Sequence, residues 1–191
     1  MSSGPNSARA WHTRSERELL CARPWFRVVQ QEVALPSGRV IDDFYRIEMP
    51  DFASVLAKRA DRRIVLVRGY KHGIGEETLL PPAGLIESGE EPLAAAQREL
   101  LEETGYESDS WQALGAFVVD ANRHCGRMHL FLALNAKQVA APRVDETEDL
   151  QTELMSSSEL QSAIRNGEFK NLAGLATAVM CFALDMAVAS T

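Results

Sequence analysis

Apolar residues fall along this chain in two rhythms. From Phe26 a loose alternation runs through Val28 and Val33, breaks at Pro36-Ser37-Gly38, and resumes over Val40–Ile47. Strand-like stretches on both sides of a Pro/Gly turn predict an antiparallel hairpin. Nearly continuous apolar runs follow at Phe52–Leu56 and Ile64–Val67, separated by Asp61-Arg62-Arg63, and predict buried strands. Tyr70–Glu77 contains glycine and reads as a loop. Leu79 and Leu80 lead into Pro81-Pro82-Ala83-Gly84. Trp111–Val119 and Met128–Leu134 predict two further strands joined by a loop over Asp120–Arg127. A short strand over Leu150–Leu154 is expected after the polar stretch Asn135–Asp149.

Three stretches carry helical signals. Pro92 suits a first helical turn, where its missing N–H would be unpaired anyway. Leu93 to Leu101 are strong helix formers, and Gly105 is a stop signal, so a helix is expected from Pro92 to about Thr104. Ser158 is expected to cap a helix over about Glu159–Asn166, stopped by Gly167. Leu172 to about Ala189 reads as an Ala-rich helix. Residues 1 to about 20 show little apolar pattern and are expected to form a disordered or loosely held arm. The sum is an α/β chain: a mixed sheet with helices on both sides, an α/β/α sandwich.

Composition narrows the class. The chain has 191 residues, 46% hydrophobic and 25% charged, as one soluble globular domain would. A net charge of -7 argues against a general nucleic-acid binder. No apolar run reaches bilayer length, which argues against a membrane partner, and MSSGPNSARAWHTR lacks the apolar core of a secretory signal. Cys21, Cys125 and Cys181 are isolated and odd in number, which fits a reducing compartment; a cytoplasmic location is expected.

The chemistry is concentrated in Gly84–Tyr106, GLIESGEEPLAAAQRELLEETGY. On a helix, Glu99, Glu102 and Glu103 stand three and four apart and project from one face. Leu93, Ala96, Leu100 and Leu101 lie largely away from it and are expected to pack on a sheet. Carboxylates near a helix C-terminus oppose the macrodipole and repel one another. A hard divalent cation with oxygen ligands offsets both. Arg98 and Glu90 form a supporting ion pair between helix and loop in this reading. A solvated acidic face is the alternative for Glu102 and Glu103 taken alone.

The whole stretch spells G-x5-E-x7-R-E-U-x-E-E-x-G-U, with U apolar, and resembles the Nudix box, the signature of Mg-dependent hydrolases that cut pyrophosphates linked to a nucleoside. All seven fixed identities match; Tyr106 at the last apolar position is a mild departure. From about Phe26 to Ala183 the layout is similar to the ADP-ribose and nucleoside-diphosphate-sugar pyrophosphatases. The hairpin, the segment LVRGYKHG, the run Pro82-Ala83-Gly84-Leu85-Ile86-Glu87 and the acidic stretch from Asp145 carry that likeness. Gly69 replaces a Gln of the pattern, Leu80 replaces a Glu, and Pro81 is unusual. The Ser-Pro-Gly loop of bacterial ADP-ribose enzymes is replaced by VVDANRHCGRMHLFLA.

The resemblance implies a Nudix-type α/β/α sandwich with an N-terminal antiparallel hairpin. It covers residues 21–191 as one domain, with the hairpin at about 26–48 and a catalytic core at about 49–189. It implies two or three Mg2+ (or Mn2+) ions, held by Glu99, Glu102, Glu103 and the carbonyl of Ala83. Glu148 is the first choice for a further loop carboxylate and Glu146 the second. Glu99, Glu103 and Glu148, with Arg98, form the expected catalytic set. Arg68, Lys71, Arg123 and Arg127 are candidates for the substrate's phosphates, which basic side chains bind well. Glu87, from the Pro-Ala-Gly-x-x-Glu run, joins them as a substrate-binding candidate. Phe44 or Tyr45 could stack on a base.

The expected substrate is ADP-ribose or a nucleoside-diphosphate sugar, cleaved to a nucleoside monophosphate and a sugar phosphate. Nucleoside triphosphates or dinucleoside polyphosphates are the alternative substrates, and a non-catalytic nucleotide-sensing domain is the alternative class. The resemblance also implies a homodimer through the hairpin.

Overall fold

The computed structural model describes residues 9–143 and 149–188, with side chains through residue 183. The chain divides into two compact units, Met1–Pro50 with Val118–Arg127, and Asp51–Phe117 with Met128–Thr191.

The first unit is a meander rather than a hairpin. β1 (His12–Ala22) pairs antiparallel with β2 (Phe26–Ala34), which pairs antiparallel with β3 (Val40–Glu48). The hairpin expected from the sequence is β2–β3. Of the loose arm expected over residues 1–20, the part from His12 onward forms a strand: β1 pairs with β2 from His12↔Ala34 to Ala22↔Phe26, with two shifts of register. Ten of its eleven positions are exposed, so no apolar alternation marks it in the sequence. Cross-strand polar pairs hold it instead. Arg27 donates to Glu16 at 2.7 Å, to Glu18 at 2.9 Å and to Glu48 at 2.9 Å, while Gln31 donates to Glu16 at 2.8 Å. The Gln31 amide and then Arg27 hold the Glu16 carboxyl below its usual range.

The second unit begins with β4 (Phe52–Lys58), β5 (Ile64–Lys71), β6 (Glu76–Leu80) and β7 (Ala83–Leu85). Helix α1 (Pro92–Thr104) follows, then β8 (Tyr106–Glu107), β9 (Ser110–Asp120) and β10 (His124–Leu134), of which Val118–Arg127 is counted with the first unit, and then β11 (Lys137–Gln138) and β12 (Leu150–Met155). Helices α2 (Ser157–Arg165) and α3 (Leu172–Val188) close the chain. β10 lies parallel to β4, whereas β5 and β12 are antiparallel neighbours, so the sheet is mixed as expected. β4 divides its other edge. Residues 52–54 pair with β7 and residues 57–58 pair with β5. That division separates β7 from the β5–β6 hairpin.

Alternation along the central strands sends side chains to two helical layers. Ala53, Val55 and Ala57 face Ala95, Ala96 and Leu100 of α1. Leu56, Leu66, Leu130 and Leu132 pack with Leu160 and Ala163 of α2 and with Ala178 and Cys181 of α3. Each fully buried leucine contributes about 2 kcal/mol. Leu93, expected on the packed face of α1, is 38% exposed; small Ala95 takes the buried position.

Three boundaries move for local reasons. The expected loop over 70–77 shortens because β5 and β6 pair out to Lys71↔Glu76. The expected loop over 120–127 becomes a turn at residues 121–123, because Asp120 Oδ1 accepts the N–H groups of Asn122 and Arg123, both at 2.7 Å. Helix α2 starts at Ser156 and not at Ser158. Ser156 Oγ accepts the Glu159 N–H while Glu159 accepts the Ser156 N–H, a complete capping box.

Candidate functional site

α1 and β7 build the site together. Pro92 opens the helix, and Gly105 ends it at φ 73° with its N–H on Leu101 O at 2.8 Å. No residue with a side chain replaces Gly105 easily, since a Cβ there would lie 2.1 Å from Ala140 O. β7 is fixed by register to β4, Ala53↔Gly84 and Ser54↔Ala83.

The structure brings most of the expected box residues together. Arg98 grips Glu90 with two nitrogens, at 2.9 and 3.0 Å. It also donates to Glu99 at 2.7 Å, to Glu102 at 3.3 Å and to the Leu85 carbonyl at 2.9 Å. One guanidinium thus joins the loop, β7 and two turns of α1. These carboxylates, Glu90 first, hold Arg98 firmly protonated. Glu99 presses on the strand so closely that a Cβ on Gly84 would lie 2.0 Å from its Oε1. Glu103 is 5% exposed and accepts the Ala83 N–H at 3.1 Å. Glu102 is the exposed member.

The donor set is made of hard oxygens, the type that Mg2+ and Mn2+ take. Arg98 lies between Glu99 and Glu102 and already offsets part of their charge. Among the described residues no three acidic, histidine or cysteine side chains converge on one point. Arg98 and the Ala83 N–H draw them to separate partners. The residues therefore fit a divalent cation by donor type.

A cavity of about 240 Å³ opens beside Glu103. Lys71 lines it, as do Ala83 and Gly84, with Phe52, Ser54 and Asn171. Of the phosphate candidates in this unit, Lys71 therefore reaches the site and Arg68 does not. Arg68 is clamped by Glu153 and by Glu168, the latter at 2.7 Å. The cause is strand parity, because Arg68 pairs with Gln151 and the side chain of Glu153 stands diagonally on the same face. Glu87 is exposed, and its N–H donates to Glu90 at 2.9 Å.

Arg123 and Arg127 belong to the first unit. Arg123 lies over the Phe44 ring at 5.8 Å, and Trp11 meets the same ring edge-on at 6.2 Å. Tyr45 is 38% exposed. Glu146 and Glu148 lie outside the described residues.

The sequence reading missed Ser54, Phe52 and Asn171. Asn171 carried a signal: an Asn directly before an apolar helical run is an N-cap candidate. Its Oδ1 accepts the Gly174 N–H at 2.6 Å. Ser54 and Phe52 sit in an apolar strand and carried none.

Glu90 gives a pH test. Its hydrogen bonds from Arg98 and then from the Glu87 N–H hold its carboxyl below the usual range. A depressed native pKa stabilises the fold above the ordinary carboxylate pKa, and that stability is lost as pH falls through the native value. Glu90→Gln is expected to melt below wild type at pH 7. The gap should close as pH drops through the acid range. Parallel thermal melts between pH 7 and pH 3 check this, and a gap independent of pH would contradict it.

Fold and box together define a NUDIX domain. A model of that family matches residues 49–173, and the chain belongs to the family. The chain is 32% identical over 118 residues to a methanol dehydrogenase activator of Bacillus methanolicus, covering 61% of this chain and 63% of that one. It is 32% identical over 103 residues to an ADP-ribose pyrophosphatase of Bacillus subtilis (strain 168), covering 54% and 55%. The chain thus spans a little over half of the length of each. A crystal structure of an ADP compounds hydrolase superposes with a TM-score of 0.73 over 91% of this chain and 93% of that one, at 20% identity, which shows the shared fold.

Proposed function

We propose that the protein is a divalent-metal-dependent hydrolase that cuts the pyrophosphate of ADP-ribose or of a nucleoside-diphosphate sugar. One water is added across the P–O–P bridge, giving a nucleoside monophosphate and a sugar phosphate. The observation that carries this reading is the complete carboxylate set on α1, bound to β7 by Arg98 and opening on a cavity lined by Lys71. The sequence likeness to an ADP-ribose pyrophosphatase supports the substrate class.

In this reading Glu99, Glu102, Glu103 and the Ala83 carbonyl hold two or three Mg2+ or Mn2+ ions. Bound there, the metal would neutralise phosphoryl charge and lower the pKa of a water. Arg98 is a positioning residue, because its bonds end on Glu90, Glu99, Glu102 and Leu85. Lys71 meets a phosphate as a point charge. Glu148 remains the sequence-based choice for the loop carboxylate. The exposed strand β1 supports a homodimer, and three free thiols support a cytoplasmic location.

The test incubates purified protein with Mg2+ and a panel of ADP-ribose, nucleoside-diphosphate sugars, dinucleoside polyphosphates and nucleoside triphosphates, with products separated by ion exchange. Release of a nucleoside monophosphate and a sugar phosphate is expected. Cleavage confined to triphosphates or polyphosphates would replace the substrate class. No cleavage with either metal would favour a sensing domain.

A further inference from the structure

The cavity beside Glu103 contains polar groups that metal binding leaves unused. Ser54 stands in its wall at 2% exposure. The hydroxyl's neighbour is Thr177 Oγ1 at 3.5 Å, the long limit for such a bond, and Thr177 itself donates to the Ala173 carbonyl at 2.9 Å. At that distance the bond is weak, so the Ser54 hydroxyl can turn to a ligand oxygen at little cost. Asn171 spends its Oδ1 on the Gly174 N–H, so the other end of the amide, Nδ2, offers two donors. A Cβ on Gly174 would lie 2.5 Å from Asn171 Oδ1 and 3.3 Å from Leu80 Cδ2, so the first turn of α3 is drawn tightly against β6. Asn171 is thereby fixed in place.

We propose that this cavity is the subsite for the sugar-phosphate half of the substrate, with Ser54 and Asn171 reading the sugar hydroxyls. The proposal rests on the pyrophosphatase reading above. Size supports it: about 240 Å³ is below the roughly 300–1,000 Å³ of pockets that take a drug-sized ligand, so only one half of a dinucleotide-like substrate enters. The polar chemistry supports it as well. Ser54, Asn171 and Lys71 are donors, and the oxygens of a sugar and its phosphate are acceptors. The remaining wall includes Phe52, Leu80 and Pro81, which suit the C–H face of a sugar ring. A nucleobase is better served by aromatic faces on both sides, and among the described residues Phe52 is the one aromatic ring lining the cavity.

The experiment is calorimetric titration of ribose 5-phosphate and, separately, of AMP into wild type, Ser54→Ala and Asn171→Ser. Serine at 171 preserves a helix cap while removing the amide donors. Each variant is expected to bind ribose 5-phosphate about five-fold more weakly, the loss of roughly one hydrogen bond, with AMP affinity unchanged. Undiminished ribose 5-phosphate binding in both variants overturns the subsite. So does a loss confined to AMP, or no binding of ribose 5-phosphate by wild type. The readout needs no turnover, so a failure of the subsite is seen separately from a failure of the cleavage panel.

Discussion

Glu103→Gln is expected to abolish most turnover while leaving the protein folded. The two effects separate because of where Glu103 lies. It is buried against β7, and its contact with the Ala83 N–H asks only for an acceptor oxygen. Glutamine keeps that oxygen and the volume, so the strand remains satisfied. What disappears is one negative charge in a turn that also carries Glu99 and Glu102. Like charges at helical spacing destabilise, so removing one offsets part of what the substitution costs. A metal ligand, in contrast, is not replaced by a neutral amide. Even residues that merely support ligands cost about 10–100-fold on mutation, and loss of a ligand should exceed that. The measurement pairs kcat on the best substrate of the panel with melts taken with and without Mg2+. Wild type should be stabilised by Mg2+ and the variant much less. A rate within a few-fold of wild type would remove Glu103 from the metal set.

Glu103 also illustrates what the sequence could and could not reveal. The box was legible because its chemistry demands particular side chains at fixed spacing. The sequence expectation set Glu99, Glu102 and Glu103 on one acidic face. The structure grades them: Glu103 is buried, Glu99 lies against Gly84, and Glu102 is exposed. That grading depends on how close α1 sits to the sheet, which the small side chains of Ala95 and Ala96 permit. No local pattern reports such a distance.

The central strands and all three helices were legible for a related reason, since burial imposes periodicity. β1 was not, because its contacts are charged cross-strand pairs that look like a solvated tail when read in order. Arg68 shows the limit of reading by residue type. Guanidinium groups bind phosphates, but here Glu153 and Glu168, 85 and 100 positions away, had already engaged it. Ser54 and Asn171 became visible only when β4 and the start of α3 met around one cavity. Long-range partners of this kind set a site's selectivity, and a local reading of the chain does not reach them.

Gly84→Ala is expected to lower kcat by roughly a hundred-fold, although the change is a single methyl. Positive φ is not the reason, since Gly84 sits in a strand paired with Ala53. The reason is distance. An added Cβ would fall 2.0 Å from Glu99 Oε1 and 2.1 Å from its Cδ, far inside contact. Either β7 or the Glu99 carboxylate must then move by an ångström or more. β7 is held by its pairing with β4 and by Arg98 on the Leu85 carbonyl. The Glu99 side chain is the freer of the two, so it yields. A displacement near 1 Å at a catalytic constellation costs about 10²-fold. Glu99 would also lose its 2.7 Å bond to Arg98, and Arg98 would retain its two-pronged hold on Glu90. The loop should therefore stay attached while the metal set is disrupted. Expected readouts are a large fall in kcat, a weaker Mg2+ dependence of the rate, and a modest loss of melting temperature. A variant with full activity would mean that Glu99 need not lie against β7 during the reaction, and would move the working site away from the strand that carries Ala83.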